Sequence, residues 1–118
     1  MGSSYKEENK VKEITENDWQ SEIIDAKIPV FVDFWAPWCG PCRMVGPAVD
    51  EIAKGSKFDI KFVKVNLDEN SSLATSQNIQ SIPTLTIFKD GKAVRTTIGA
   101  QSKANIERFI AETIAKIQ

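Results

Sequence analysis

Apolar and polar positions along this chain fall into blocks whose period switches between two and about 3.6, and each switch marks an element. Val11 to Ile14 reads as an edge strand. Thr15 or Asn17 then caps a helix with Trp19, Ile23 and Ile24 on one face, and Trp19 is expected in the core. After Pro29, the run Val30-Phe31-Val32-Asp33-Phe34-Trp35-Ala36 is apolar at both parities, with Val30, Val32 and Phe34 on one face and Phe31 and Trp35 on the other. A strand of this kind is buried on both sides, which requires covering layers above and below the sheet. Arg43 to Lys54 returns to helical spacing, with Met44, Val45, Ala48, Val49, Ile52 and Ala53 apolar and Asp50 and Glu51 outward. Pro47 removes one backbone hydrogen bond there and predicts a kink within one helix, loosened further by Gly46.

Gly55, Ser56 and Lys57 end that helix. Ile60 to Asn66 is the next strand, with Val63 and Val65 on one face and Ile60, Phe62 and Lys64 on the other. Ser71 to Gln77 suits a short helix, and Ile82-Pro83-Thr84 leads into a strand at Leu85 to Phe88. Lys89-Asp90-Gly91-Lys92 predicts a hairpin, because Asp-Gly tolerates the positive φ that a two-residue turn needs. Ala93 to Ile98 is the returning strand, Gly99-Ala100 closes it, and Ser102 caps a last helix striped by Ile106, Phe109, Ile110, Ile114 and Ile117. The predicted order is β-α-β-α-β-α-β-β-α, an α/β domain over residues 10–118 behind a flexible tail over residues 1–9.

Two features do not fit a purely structural pattern. Asp33 shares a strand face with Phe31 and Trp35, so no solvent side is left for its carboxylate, and desolvation raises the pKa of such a group toward the range of a general acid or base. A strand-end Asp that reaches water is the alternative; the six residues separating it from Cys39 favour function. The second feature is Trp38-Cys39-Gly40-Pro41-Cys42, which holds both cysteines of the 118-residue chain. If a helix begins near Gly40 or Pro41, the two lie on one face with β-carbons about 5 to 6 Å apart, close enough for a bridge to open and close. As a staple, a four-residue loop restricts the unfolded chain by only about 2 kcal/mol, against about 4.7 for a hundred-residue loop. As zinc ligands, two cysteines without any histidine leave a tetrahedral site half empty. Redox chemistry is the reading that explains the spacing. Lys64 is a candidate neighbour of Asp33, although a strand lysine taken alone reads as a solvated end.

Composition narrows the classes further. With 42% hydrophobic and 26% charged residues, the chain has material for one core. Fifteen basic against sixteen acidic residues leave a net charge of −1, which gives no electrostatic footprint for nucleic acid or an anionic membrane. No apolar run reaches the length of a membrane span, the first ten residues lack the hydrophobic segment of a secretory signal, and Lys6 breaks the myristoylation pattern that Gly2 opens. A reducing, cytoplasmic location is expected. The absence of histidine excludes every Cys-His and Ser-His mechanism, so any thiol here is activated by backbone, carboxylate or lysine.

From Val11 to the C-terminus the chain resembles the thioredoxin family. The resemblance rests on Val32-Asp33-Phe34-Trp35-Ala36-Pro37-Trp38-Cys39-Gly40-Pro41-Cys42 and on Ile82-Pro83-Thr84 at the matching distance. It implies a three-layer α/β/α fold, with a mixed five-stranded sheet flanked by four helices. It also implies a protein-disulfide reductase that needs no bound cofactor or metal, works as a monomer, and is recharged by a thioredoxin reductase to maintain redox homeostasis. Cys39 is then the exposed nucleophile and Cys42 the shielded resolving thiol, with Asp33 moving a proton and Lys64 buried beside Asp33 to tune it. Trp38, Gly40, Pro41, Ile82, Pro83, Gly99 and Ala100 would form the surface that docks disulfide-bearing clients and the reductase. Trp35 and Pro47 are structural, Pro47 matching the family's helix kink. X-Pro bonds are cis in only about 5 to 6% of cases, so residue statistics favour trans at Pro83, whereas the resemblance implies cis. Gly46, Gln77-Asn78, Ser81 and Arg43 depart from the common family residues. A disulfide oxidase or isomerase on the same scaffold, or a non-catalytic binding subunit, are the alternatives.

Overall fold

The computed structural model describes residues 10–117, so the tail over residues 1–9 lies outside the described residues. Five strands form one sheet: β1 (Val11–Glu13), β2 (Val30–Trp35), β3 (Lys61–Asn66), β4 (Thr84–Lys89) and β5 (Lys92–Ile98), in the spatial order β1-β3-β2-β4-β5. The β1, β3 and β2 strands run parallel, whereas β4 is antiparallel to β2 and β5 to β4. Among the described residues three α-helices accompany them: α1 (Gly40–Gly55), α2 (Ser71–Ser76) and α3 (Lys103–Ile117).

The two parities of β2 enter two different cores, as its sequence demands. Phe31, with Phe62, Leu85 and Ile87, packs under Val45, Val49, Ile52 and Ala53 of α1 and Ile106, Phe109, Ile110 and Ile114 of α3. Val30, Val32 and Phe34 pack with Val63, Val65 and Phe88 against Ile23 and Leu73 on the opposite face. Trp19 joins this second core at its margin, its ring edge-on to Phe88 at 5.4 Å.

The first helical segment differs from expectation. Thr15 is its cap, and its backbone N–H is held by Asp18 at 2.9 Å, but the chain then winds into a 3₁₀ turn at Glu16–Asp18 and a π-type turn at Gln20–Ile24. Glu22, half-buried in that segment, bridges Lys12 of β1 and Lys61 of β3, both at 2.9 Å. Those two lysines hold its carboxyl below the usual range, the hydrogen bond from Lys12 first. The irregular winding lets Ile23 reach the core while Glu22 reaches the sheet, a compromise between local and tertiary demands.

Met44 is a second departure: it is 73% exposed, because the buried stripe of α1 runs through Cys42, Val45, Val49, Ile52 and Ala53. α1 runs unbroken through Pro47. α2 ends on a left-handed residue, Asn78 at φ 54°, with Ile79 N–H donating to Ala74 O at 2.9 Å and Asn78 N–H to Thr75 O at 3.1 Å. This is a Schellman cap, and Ile79 packs on the same core as Leu73. A β-carbon without a side-chain oxygen fits that conformation poorly, so Asn78→Ala is expected to cost about 1 kcal/mol, read as a lower urea midpoint at unchanged slope.

Candidate active site

Topology brings the cysteine loop and the Ile82-Pro83 loop together. Phe34 pairs with Thr84 in antiparallel register, so β4 begins where β2 ends, and Ile98 at the end of β5 pairs with the same Thr84. Three loops therefore meet at one end of the sheet: Ala36 to Cys39, Ser81 to Pro83, and Gly99 to Ala100. The Ile82-Pro83 bond is cis. Gly99 sits at φ 97°, a conformation glycine adopts freely, and its N–H donates to Pro83 O at 2.9 Å.

Cys39 and Cys42 are joined in a disulfide, their α-carbons 5.3 Å apart. Cys39 is the N-cap of α1 with Pro41 in the first turn, and its sulfur accepts the Cys42 backbone N–H at 3.2 Å. The unpaired N–H groups and partial positive charge of a helix start favour a thiolate at that place. The expected contrast in exposure is absent from this oxidised state: Cys39 is 4% and Cys42 6% exposed. Both cysteines lie in a small cluster with Ala36, against Trp35 and Ile82. The loop around them is open, with Trp38 68% exposed and Gly40 and Pro41 exposed beside it. Ile82 and Gly99 are half-buried, Pro83 is buried, and Ala100 is exposed. The Trp38 indole N–H donates to Asp68 Oδ1 at 2.9 Å. Asp68, which sequence reasoning passed over, is tied in turn by its backbone N–H to Asn66 Oδ1 at 3.0 Å.

Behind the bridge, Asp33 is 3% exposed, and its Oδ1 has no hydrogen-bond partner among the described residues. Burial, the largest cause, pushes its carboxyl from 3.8 up to about 7; Lys64 pulls it down and the charge of Asp50 adds to the rise. Lys64 faces Asp33 in the β2–β3 register as expected. The pair is not a buried contact, however. Lys64 is half-buried, no ion pair joins it to Asp33 among the described residues, and its Nζ lies 5.5 Å from the centre of the Trp35 ring. An ammonium over an indole face keeps part of its hydration, which full burial beside a carboxylate would strip away. Trp35 is partly buried, its Nε1 without a hydrogen-bond partner among the described residues. Pro47 lies exposed on α1, near enough to border the same recess as Asp33 and Cys42. Among the described residues no group of His, Cys, Asp and Glu is arranged to hold a metal ion, and no helix is long and apolar enough to cross a membrane.

A dithiol that opens and closes at a helix start, with a desolvated carboxyl behind it, can exchange disulfides, and comparison with known proteins agrees. The family model described as Thioredoxin matches residues 10–112. Thioredoxin 1 of Synechococcus elongatus is 55% identical over 93 residues, which cover 79% of this chain and 87% of the relative. Thioredoxin of Porphyra purpurea is 49% identical over 105 residues, covering 89% and 98%. Thioredoxin M4, chloroplastic, of Arabidopsis thaliana is 42% identical over 106 residues, covering 86% of this chain and 55% of the relative. With that match running through all three site loops and every strand of the sheet, the chain belongs to the thioredoxin family, whose members are disulfide oxidoreductases that work without a bound cofactor.

Proposed function

We propose that this chain is a general protein-disulfide reductase in which Cys39 attacks and Cys42 resolves. The placement of the Cys39 sulfur at the start of α1, accepting the Cys42 N–H at 3.2 Å, is the observation that carries the assignment of roles. In the reduced protein the Cys39 thiolate attacks one sulfur of a client disulfide. That S–S bond breaks, and the departing client sulfur leaves as a thiolate that takes up a proton. Cys42 then passes its proton to the Asp33 carboxylate and attacks the Cys39 sulfur. The Cys39–Cys42 bond forms, the bond from Cys39 to the client breaks, the second client thiolate takes up a proton from solvent, and Asp33 returns to solvent the proton it received. Two electrons and two protons reach the client, and the chain is left oxidised.

Lys64 tempers Asp33 through its charge. Trp38, Gly40, Pro41, Ile82, Pro83, Gly99 and Ala100 are the docking surface for the client and for the thioredoxin reductase that returns the electrons. Support comes from the exposed Trp38 ring, the packing of Ile82 against the cysteine cluster, and the hydrogen bond from Gly99 N–H to Pro83 O that joins the other two loops. The chain acts as a monomer in a reducing compartment, the cytoplasm, where thiols such as these are kept open between turnovers.

The test is insulin reduction coupled in parallel to an NADPH-dependent and a ferredoxin-dependent thioredoxin reductase. Turnover is expected with at least one of them. Failure with both, by a protein that dithiothreitol reduces normally, would remove the reductase-linked reading.

A further inference from the structure

A cavity of about 170 Å³ lies behind the disulfide, with Asp33 on its floor and Cys42, Gly46 and Asp50 of α1 along one wall. It is roomy enough for several waters, and its walls carry the polar groups that hold them. The buried Oδ1 of Asp33 has no hydrogen-bond partner among the described residues. Cys42, Gly46 and Asp50 follow one another four residues apart, so the helix presents sulfur, gap and carboxylate in a row. The gap is real: a β-carbon at Gly46 would meet nothing within 4 Å. Asp50 itself is exposed, which places it where the cavity meets solvent.

The charged groups around this cavity are Asp33 from β2, Lys64 from β3, and Arg43 and Asp50 from α1; Leu85, the β4 partner of Asp33, brings none. Both cations are engaged away from the carboxylates. Lys64 stands over the Trp35 ring, and an Arg43 guanidinium N–H donates to Pro37 O at 3.4 Å. Lys64 still draws the Asp33 carboxyl down through its charge, while the like charge of Asp50 across the opening favours the protonated form of the buried acid.

We infer that Asp50 is a positioning residue for proton transfer: from the rim of the cavity its charge sets how firmly Asp33 holds the proton taken from Cys42, and the cavity is where that proton exchanges with solvent. The inference rests on the reading of Asp33 as proton acceptor. The charge of Asp50 is already among the causes that raise the Asp33 carboxyl. Held at neutrality between its two forms, Asp33 can both accept a proton from Cys42 and release it, the condition under which a general acid-base group works best.

The experiment follows the Asp33 side-chain carbon by ¹³C NMR across pH in the oxidised protein, and in parallel the pH profile of single-turnover insulin reduction. Asp50→Asn is expected to move the Asp33 midpoint down by about 0.3 to 1 pH unit, the range for one partly screened charge, and to carry the kinetic profile with it. Asp50→Glu, which keeps the charge, is expected to restore both. An unmoved midpoint in Asp50→Asn, with Asp33→Asn still slowing resolution, overturns the role of Asp50 alone. Resolution at the wild-type rate in Asp33→Asn overturns the reading of Asp33, and this inference with it.

Discussion

Cys42→Ser is expected to stop the exchange half-way, leaving a covalent complex between Cys39 and its client that survives denaturing electrophoresis without reductant. Cys39→Ser is expected to lower insulin reduction to the rate of the uncatalysed control. The asymmetry follows from the helix start: the partial positive charge and the Cys42 N–H act on the sulfur of Cys39, whereas Cys42 lies in the first turn facing the cavity of Asp33. The closed disulfide leaves both residues buried, Cys39 at 4% and Cys42 at 6%, so the asymmetry expected between them is one of charge at the helix start and not of exposure. Reduced protein treated with limiting iodoacetamide near neutral pH is therefore expected to be alkylated at Cys39 first. Normal turnover by Cys42→Ser, or first labelling at Cys42, would show that the two-thiol scheme assigns the roles wrongly.

Asp33→Asn is expected to make the oxidised protein more stable above neutrality, by about 4 kcal/mol, while slowing resolution of the mixed disulfide. The folded chain keeps the Asp33 proton up to about pH 7, whereas an ordinary aspartate loses it near 3.8. Between those values the folded state binds more protons than the unfolded one, so its stability falls as pH rises and levels off above about 7. Below about pH 4 both states hold the proton and the gain from asparagine vanishes. Urea unfolding of both proteins at pH 3.5, 6 and 8.5 measures this directly. Equal stabilities at pH 8.5 would mean that the carboxylate is well solvated or paired, and that burial here stores no unfavourable free energy.

The same residue shows where sequence reasoning succeeds and where it stops. That Asp33 lies on a buried face was legible from parity alone, since Phe31 and Trp35 share that face and the alternate positions are also apolar. That burial raises its proton affinity was legible with it; how far was not, because Lys64 standing over Trp35 and Asp50 reaching the same cavity from eight residues beyond Cys42 adjust the rise. The spacing of Cys42, Gly46 and Asp50 carried the signal, but Asp50 read simply as an outward acid on a helix. Met44 was misplaced for a related reason: helical period identifies two or three adjacent apolar rows, and only packing against the sheet selects which one is buried.

The chain by itself determined its elements, its two-sided sheet and its chemical pair, because periodicity, the Asp-Gly turn and the cysteine spacing are local and each residue's neighbours in sequence are its neighbours in space. Residue statistics alone favoured a trans bond at Pro83, and only the family resemblance pointed to the cis bond that the structure has. The tertiary structure decided the winding of the first helical segment, the burial of both sulfurs in the closed bridge, and the meeting of three loops at the end of β2. Those outcomes depend on contacts between residues far apart in the chain, such as Phe34 with Thr84 and Glu22 with Lys61, where packing and desolvation outweigh local preference.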